Sequence, residues 1–253
     1  GSMAEPMYSG RAQSVQSKLS ISREALSRFS DLRKNDLIGL AAFARKTDII
    51  SPPTLDHQAV LDALNTISIV KGQEEDGTAI GYAIYKTATL IQNLKEASKK
   101  LEEKAPYEIK GAGIVLVTDG LQDPNPLDKD NPTRSIELVE AARYAKEHDI
   151  KLYVLNVEPR LNQEKYLPNL NEMKRIAEMT KGAFYLIERP SQVADIMEAI
   201  NSLEASEILM PLNPFEMPTL YEKVSYAYPF FLIAFCLLFL LIILRLTYLR
   251  VSP

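Results

Sequence analysis

A single cysteine, Cys236, stands in the 253 residues, so no intramolecular disulfide can form. It falls inside an apolar run, as a lipid-facing or helix-packing residue would. Histidines number only two. His57 sits beside Asp56 and His148 ends a helical pattern, and neither has a companion for shared chemistry. An excess of positive charge is missing as well: the net charge is -4, which removes the basic face that nucleic acid requires. Gly-x-x-x-x-Gly-Lys, Gly-x-Ser-x-Gly and His-Glu-x-x-His are all absent, so phosphate-loop, serine-hydrolase and zinc-protease chemistries have no residues to carry them. What is present, 46% hydrophobic and 25% charged residues, suffices for one packed core plus an appendage.

The appendage is the uncharged run Tyr228 to Leu244. With Ala227 and Leu246 it just reaches the roughly 20 apolar residues that cross a bilayer. Tyr226, Tyr228 and Tyr248 mark its ends, and Arg245 and Arg250 follow it. The positive-inside bias then puts the C-terminus in the cytoplasm and the domain outside. Pro211, Pro214 and Pro218 break up the preceding stretch into a semi-extended linker. The expected organisation is a domain over 1–206, a linker over 207–226, a transmembrane helix over 227–246 and a short tail over 247–253.

Within 1–206 helical and strand patterns alternate, as a parallel sheet with crossover helices requires. Val15, Leu19, Ser22, Leu26 and Phe29 form a helical stripe, and Leu37 to Phe43 is a short apolar strand. Asp48 to Ser51 reads as an edge strand stopped by Pro52 and Pro53, and Gln58 to Ile67 as a helix. A long helix is expected from Thr78 towards Lys100, then a strand from Gly113 to Val117. After a polar loop, Pro132 opens a helix reaching about His148. Ile150 to Val157 is a strand, Leu170 to Thr180 a helix closed by Gly182, Ala183 to Ile187 a strand, and Val193 to Leu203 a last helix.

Two short signatures carry the chemistry. Asp76-Gly77-Thr78 opens the long helix, and Thr118-Asp119-Gly120 follows the apolar strand directly. Hydroxyl and carboxylate oxygens delivered by loops at one sheet edge suit a hard divalent cation such as Mg²⁺. Asp-Gly-Thr also occurs in the Asp-x-Asp-Gly-Thr motif of haloacid dehalogenase-type phosphatases. Here, however, Glu74 holds the nucleophile position, and Lys71-Gly72-Gln73 replaces the buried strand that should deliver it. Asp123, Asp128 and Asp130 lack the glycine and distal glutamate of a calcium loop and read as a solvated loop.

Gly1-Ser2-Met3 also reads as a protease scar, but it matches the tail of Asp-x-Ser-Gly-Ser-Met, the first metal-binding loop of a von Willebrand factor A domain. With Asp36-Leu-Ile-Gly-Leu-Ala-Ala-Phe43 and Asp76-Gly-Thr-Ala-Ile-Gly81, the chain resembles the bacterial BatA-type branch of that family over roughly residues 1 to 206. The resemblance implies a Rossmann-like α/β fold and a divalent-metal site, occupied by Mg²⁺, Mn²⁺ or Ca²⁺. Ser2 matches the second serine of the first loop, Thr78 the threonine of the second and Asp119 the aspartate of the third. It implies no enzyme but a membrane-anchored interaction module of the bacterial cell membrane, extracytoplasmic and binding a partner's acidic side chain. The partners would be other Bat-type proteins or a MoxR-type ATPase system in aerotolerance and stress. A structural anchor with a dead metal site is the alternative. The family's first aspartate and first serine would precede Gly1. The strand carrying them would lie between the Leu37 and Gly113 strands, so the resemblance implies an N-terminally truncated domain with a strand-sized slot.

Overall fold

The computed structural model describes residues 2–7, 16–69, 75–100 and 111–205. The expected linker, transmembrane helix and tail, with Cys236, lie outside the described residues, as does Glu74. Among the described residues no helix is long and apolar enough to cross a membrane.

The chain enters through a 3-10 turn at Ser2–Ala4 and two minimal strands, β1 (Pro6–Met7) and β2 (Gln16–Ser17), paired antiparallel. Ser17 then caps α1 (Lys18–Leu32) by accepting the Ser20 N–H, which satisfies one of the orphan donors of the first turn. A hairpin follows, β3 (Ile38–Phe43) and β4 (Thr47–Thr54), then α2 (His57–Thr66), capped by Asp56. The long helix α3 (Ile80–Lys100) leads to β5 (Ala112–Thr118), α4 (Leu138–Glu147), β6 (Ile150–Asn156), α5 (Leu167–Met179), β7 (Phe184–Leu186) and α6 (Val193–Ala205).

β5, β6 and β7 form a parallel sheet in that order, joined by α4 and α5 as crossovers. β6 is its centre and is covered on both faces. Leu152 and Val154 pack with Ile114, Leu116 and the apolar sides of α3, α4 and α5. Tyr153 and Leu155 face Ile21 and Ala25 of α1 and Val193, Met197 and Ile200 of α6. A third, smaller cluster joins Leu40 of β3 to Val60 and Leu64 of α2. This is the α/β layering that the alternation of patterns implies, since a strand buried on both faces must be apolar throughout.

Three local expectations differ from the structure. The strand expected to stop at Pro52 runs through both prolines to Thr54, with the register slipping where β4 passes Gly39. Gly39 leaves room for the Pro53 ring, which a Cβ there would meet at 3.1 Å. Because β4 pairs only with β3 among the described residues, its outer edge has no ladder for the missing proline N–H groups to break. Pro132 opens a turn over 132–135 rather than the helix itself, which starts at Leu138. In α1 the buried residues are Lys18, Ile21, Ser22, Ala25 and Ser30, so of the expected stripe Ser22 is buried, Leu19, Leu26 and Phe29 are half-buried, and Val15 lies outside the described residues. Small side chains let the helix sit close to the sheet, while Leu26 turns to the third cluster.

Among the described residues, no ladder joins β3 to β5, although Phe43 and Ile114 pack on the same helix, α3. Among the described residues, the hairpin and the parallel sheet are therefore connected through side chains and through the start of α3, where Ala79 N–H donates to Ala44 O at 3.0 Å, and not through a shared ladder.

Candidate functional site

The C-terminal ends of the parallel strands are stitched together by backbone and one amide. Val157 N–H donates to Thr118 O at 2.9 Å and Ile187 N–H to Asn156 O at 2.8 Å. The fully buried Asn156 accepts the Glu158 N–H at 2.9 Å and donates to Gly120 O at 3.4 Å. These bonds fix where the chain leaves β5, so the Asp119 carboxylate is held at the sheet edge, 8% exposed. Ligands gather at this end in open parallel sheets because the loops there diverge.

Thr78 is delivered to the same place by a different route. Its N–H donates to Asp123 O at 2.8 Å and its carbonyl accepts the Asp123 N–H at 3.0 Å, an isolated antiparallel bridge between the segment before α3 and the loop after β5. Its Oγ1 and Cγ2 lie 3.6 Å from where a Cβ on Gly120 would stand. Gly77, at φ 137°, makes the turn before it, and Asn125 anchors the turn by donating to Asp76 O at 2.7 Å. Asp76 is exposed and its side chain accepts its neighbour's N–H, at 3.1 Å, as a turn former does. Gln122 accepts the Gly81 N–H and donates to Ile136 O, tying the start of α3 to the loop before α4.

The structure thus brings Thr78 beside Asp119-Gly120. Ser2 lies in the entry turn, and its side chain lies outside the described residues. Glu5, three residues on, reaches the same cluster as Asp119. The link is Lys18, the first residue of α1, 2% exposed. Its ammonium lies 2.7 Å from Glu158, 3.2 Å from Glu5 and 3.4 Å from Asp119. Burial alone would lower the Lys18 pKa, but hydrogen bonds and charge from Glu158, Asp119 and Glu5 outweigh it and hold the group above the ordinary lysine value. Burial would likewise raise Glu158, yet hydrogen bonds from Arg160 and Lys18 bring it down to about 2. Arg160 lies 2.6 Å from Glu158 and 2.8 Å from Glu5.

Sequence reasoning missed Lys18, Glu158 and Arg160. One local signal was available: a lysine in the first turn of a helix faces the positive end of its dipole, an unfavourable place without acidic partners. Asp128 was misjudged too. It is 4% exposed and not solvated, with Arg45 at 2.6 and 3.0 Å and Arg134 at 3.0 Å. Asp123 and Asp130 are exposed as expected. The two histidines serve the backbone: His57 Nε2 pairs with Asp36 O and His148 Nδ1 with Tyr144 O, each at 2.8 Å.

Among the described residues no three His, Cys, Asp or Glu side chains are grouped to hold a metal. A cation here would instead rest on Asp119 with neutral hydroxyl oxygens. That donor set fits a hard divalent ion in kind, a buried carboxylate at position 119 and the Thr78 hydroxyl beside the next residue, Gly120. The residue that now balances Asp119 is Lys18.

Residues 1–122 match the family model of the von Willebrand factor type A domain. A UPF0353 protein of Mycolicibacterium paratuberculosis is 26% identical over 203 residues, covering 77% of this chain and 56% of its own. A further relative, from Borreliella burgdorferi, is 24% identical over 190 residues, covering 75% of this chain and 47% of its own. The chain therefore spans about half the length of the curated relatives it matches. Among solved structures, the hypothetical protein BatB of Bacteroides thetaiotaomicron is 26% identical at a TM-score of 0.53, over 81% of this chain and 94% of that one. An aerotolerance-related membrane protein of Bacteroides fragilis has the same fold, at 21% identity, TM-score 0.53 and the same coverages. Sequence match and structural likeness agree: residues 1–122 match the von Willebrand factor type A domain, and the chain is similar in sequence and fold to the BatB protein of Bacteroides thetaiotaomicron.

Proposed function

We propose that the chain is a protein-interaction module that docks an acidic side chain of a partner at the C-terminal edge of β5, through a divalent cation. Asp119 would hold the cation, with hydroxyl oxygens of Thr78 and Ser2 completing the shell. Mg²⁺ is the ion such oxygens suit, Mn²⁺ and Ca²⁺ being the alternatives. The observation that carries this reading is that the buried Asp119 is followed at once by Gly120, where a Cβ would stand 3.6 Å from the Thr78 hydroxyl oxygen. One carboxylate and neutral hydroxyls leave a divalent ion short of negative charge, and a partner's Glu or Asp supplies it. No step of covalent chemistry is needed, which agrees with an interaction module and not an enzyme. The run 227–246 would anchor the module in the bacterial cell membrane with the domain outside. Its partners would be other Bat-type proteins or a MoxR-type ATPase system. A strand laid between β3 and β5, next to Asp119, would complete the sheet.

A ligand that binds only the folded state raises stability by about 2.7 kcal/mol at a hundredfold excess over its Kd. Titrating the full chain with Mg²⁺ should therefore raise its melting temperature by several degrees. EDTA should reverse the shift, and Asp119→Asn should abolish it. No shift in the unmodified chain would reject the metal. The alternative, an anchor without a metal, is favoured by the Lys18–Asp119 ion pair and predicts indifference to EDTA.

A further inference from the structure

We propose that Lys18 is a built-in competitor for the cation: its ammonium holds Asp119 when no metal is bound and yields it by resting on Glu158 and Glu5. The proposal rests on the metal reading above and adds what controls that site.

Three features of the cluster point to an exchange. First, Asp119 is the most distant of the three carboxylates on the Lys18 ammonium, at 3.4 Å against 2.7 Å for Glu158. Releasing Asp119 leaves the buried ammonium still paired, so the penalty of an isolated buried charge is avoided. Secondly, Glu158 cannot drift away. It accepts the Arg160 N–H at 2.9 Å and two guanidinium bonds at 2.6 and 2.8 Å, and its own N–H is held by Asn156. It is a fixed post on which Lys18 can lean. Thirdly, the charges are poised. Glu5, Glu158 and Asp119 oppose Lys18 and Arg160, a surplus of one negative charge. A divalent ion turns that surplus positive by one, and a carboxylate from a partner then neutralises it. The resident lysine therefore makes metal and acidic partner each favour the other.

The position of Lys18 is set by packing, not by chance contact. Its α1 neighbours Ile21, Ser22 and Ala25 are buried against the sheet, and the Lys18 carbonyl accepts the Ser22 hydroxyl at 2.9 Å. The stem is thereby aimed at the strand ends.

The test is Mn²⁺ binding to the full chain, followed by titration calorimetry, for the unmodified protein, Lys18→Met, Glu158→Gln and the double variant. Lys18→Met should bind Mn²⁺ at least tenfold more tightly. Glu158→Gln takes the post away, leaves Lys18 more firmly on Asp119, and should weaken binding several-fold. In the Lys18→Met background Glu158→Gln should change little, because its effect runs through Lys18; such a cycle isolates the pair. If Lys18→Met does not fold, as its circular dichroism would reveal, Glu158→Gln alone decides by the direction of its effect. Binding by the unmodified chain that Lys18→Met leaves equal or weaker overturns the competitor and leaves the metal reading intact. Binding by Lys18→Met alone supports the competitor in its strongest form. Binding by neither folded protein rejects the metal reading and the competitor with it.

Discussion

Gly182→Ala should lower the stability of the domain by about 3–4 kcal/mol, at the upper end of what overpacking costs. At 2–4 °C per kcal/mol for a domain of this size, that is a melting temperature roughly 10 °C lower. A Cβ at position 182 would stand 1.9 Å from Leu152 O and 2.5 Å from Leu152 C. Those are backbone atoms of the central strand β6, so no rotamer change relieves the overlap. The glycine cannot retreat either. It follows Lys181 at φ 61°, donates its N–H to Ala177 O at 2.9 Å to close α5, and is flanked by Thr180, whose hydroxyl accepts the Leu152 N–H at 2.9 Å. Glycine is thus required for close approach of a helix end to a strand. Gly81→Ala should behave similarly, since its Cβ would meet Ile136 O at 2.1 Å, whereas Gly111→Ala, with nothing within 4 Å, should change stability by less than about 0.5 kcal/mol. Thermal melts of the three variants side by side check the ranking. Gly182→Ala melting within a degree or two of the unmodified protein would disprove it.

Asp128→Asn should cost about 2–3 kcal/mol at neutral pH, the range for buried hydrogen bonds to charged groups. The amide keeps the shape of the carboxylate but sets its NH₂ against guanidinium donors on Arg45 and Arg134. Hydrogen bonds from Arg45, then from Arg134, hold the Asp128 carboxyl down at about 2 against an ordinary 3.8. The sign follows from linkage: a depressed folded pKa stabilises above the unfolded value and loses that contribution as pH falls through the folded one. Denaturant unfolding should therefore separate the two proteins fully above pH 4, with the gap closing towards pH 2. A constant gap across that interval would show that the ion pairs are not its source. Because Asp128 closes the loop that carries Asp123, and Asp123 pairs with Thr78, the same substitution should loosen one wall of the candidate site.

Much of this architecture was legible wherever a local pattern suffices. The apolar run before Asp119 reads as a strand, and Asp119 follows its last residue. Ile80, Ile84 and Ala88 mark the inner face of α3 at helical spacing, and all are buried. Thr78 was singled out by the resemblance of Asp76-Gly77-Thr78 to the second loop of the family, since an Asp-Gly pair alone marks only a turn. What escaped depends on residues far apart in the chain. Lys18 meets Asp119 across 101 positions and Glu158 across 140, so neither pairing leaves a periodic trace. Asp128 looked like one more loop acid because its guanidinium partner Arg45 is 83 residues away. Pro52 and Pro53 gave a true rule with the wrong consequence. Prolines do end interior ladders, but among the described residues β4 has only β3 to bond and carries them through. The α1 stripe held at Ser22 and in part at Leu26 and Phe29, but it passed over Ile21 and Ala25, which are fully buried.

Among the described residues no ladder joins β3 to β5, which has a dynamic consequence. A continuous sheet resists opening as one unit, because fraying one strand exposes the hydrogen bonds of the next. Here the β3–β4 hairpin leans on α2 and α3 through Leu40, Phe43 and their apolar neighbours, while β5 to β7 keep their own bonds and two covered faces. Amide protons of the hairpin can exchange with solvent by a subglobal opening that leaves the parallel strands closed. α3 would then act as the splint between a half that should exchange slowly, which holds Asp119, and a hairpin that should exchange faster.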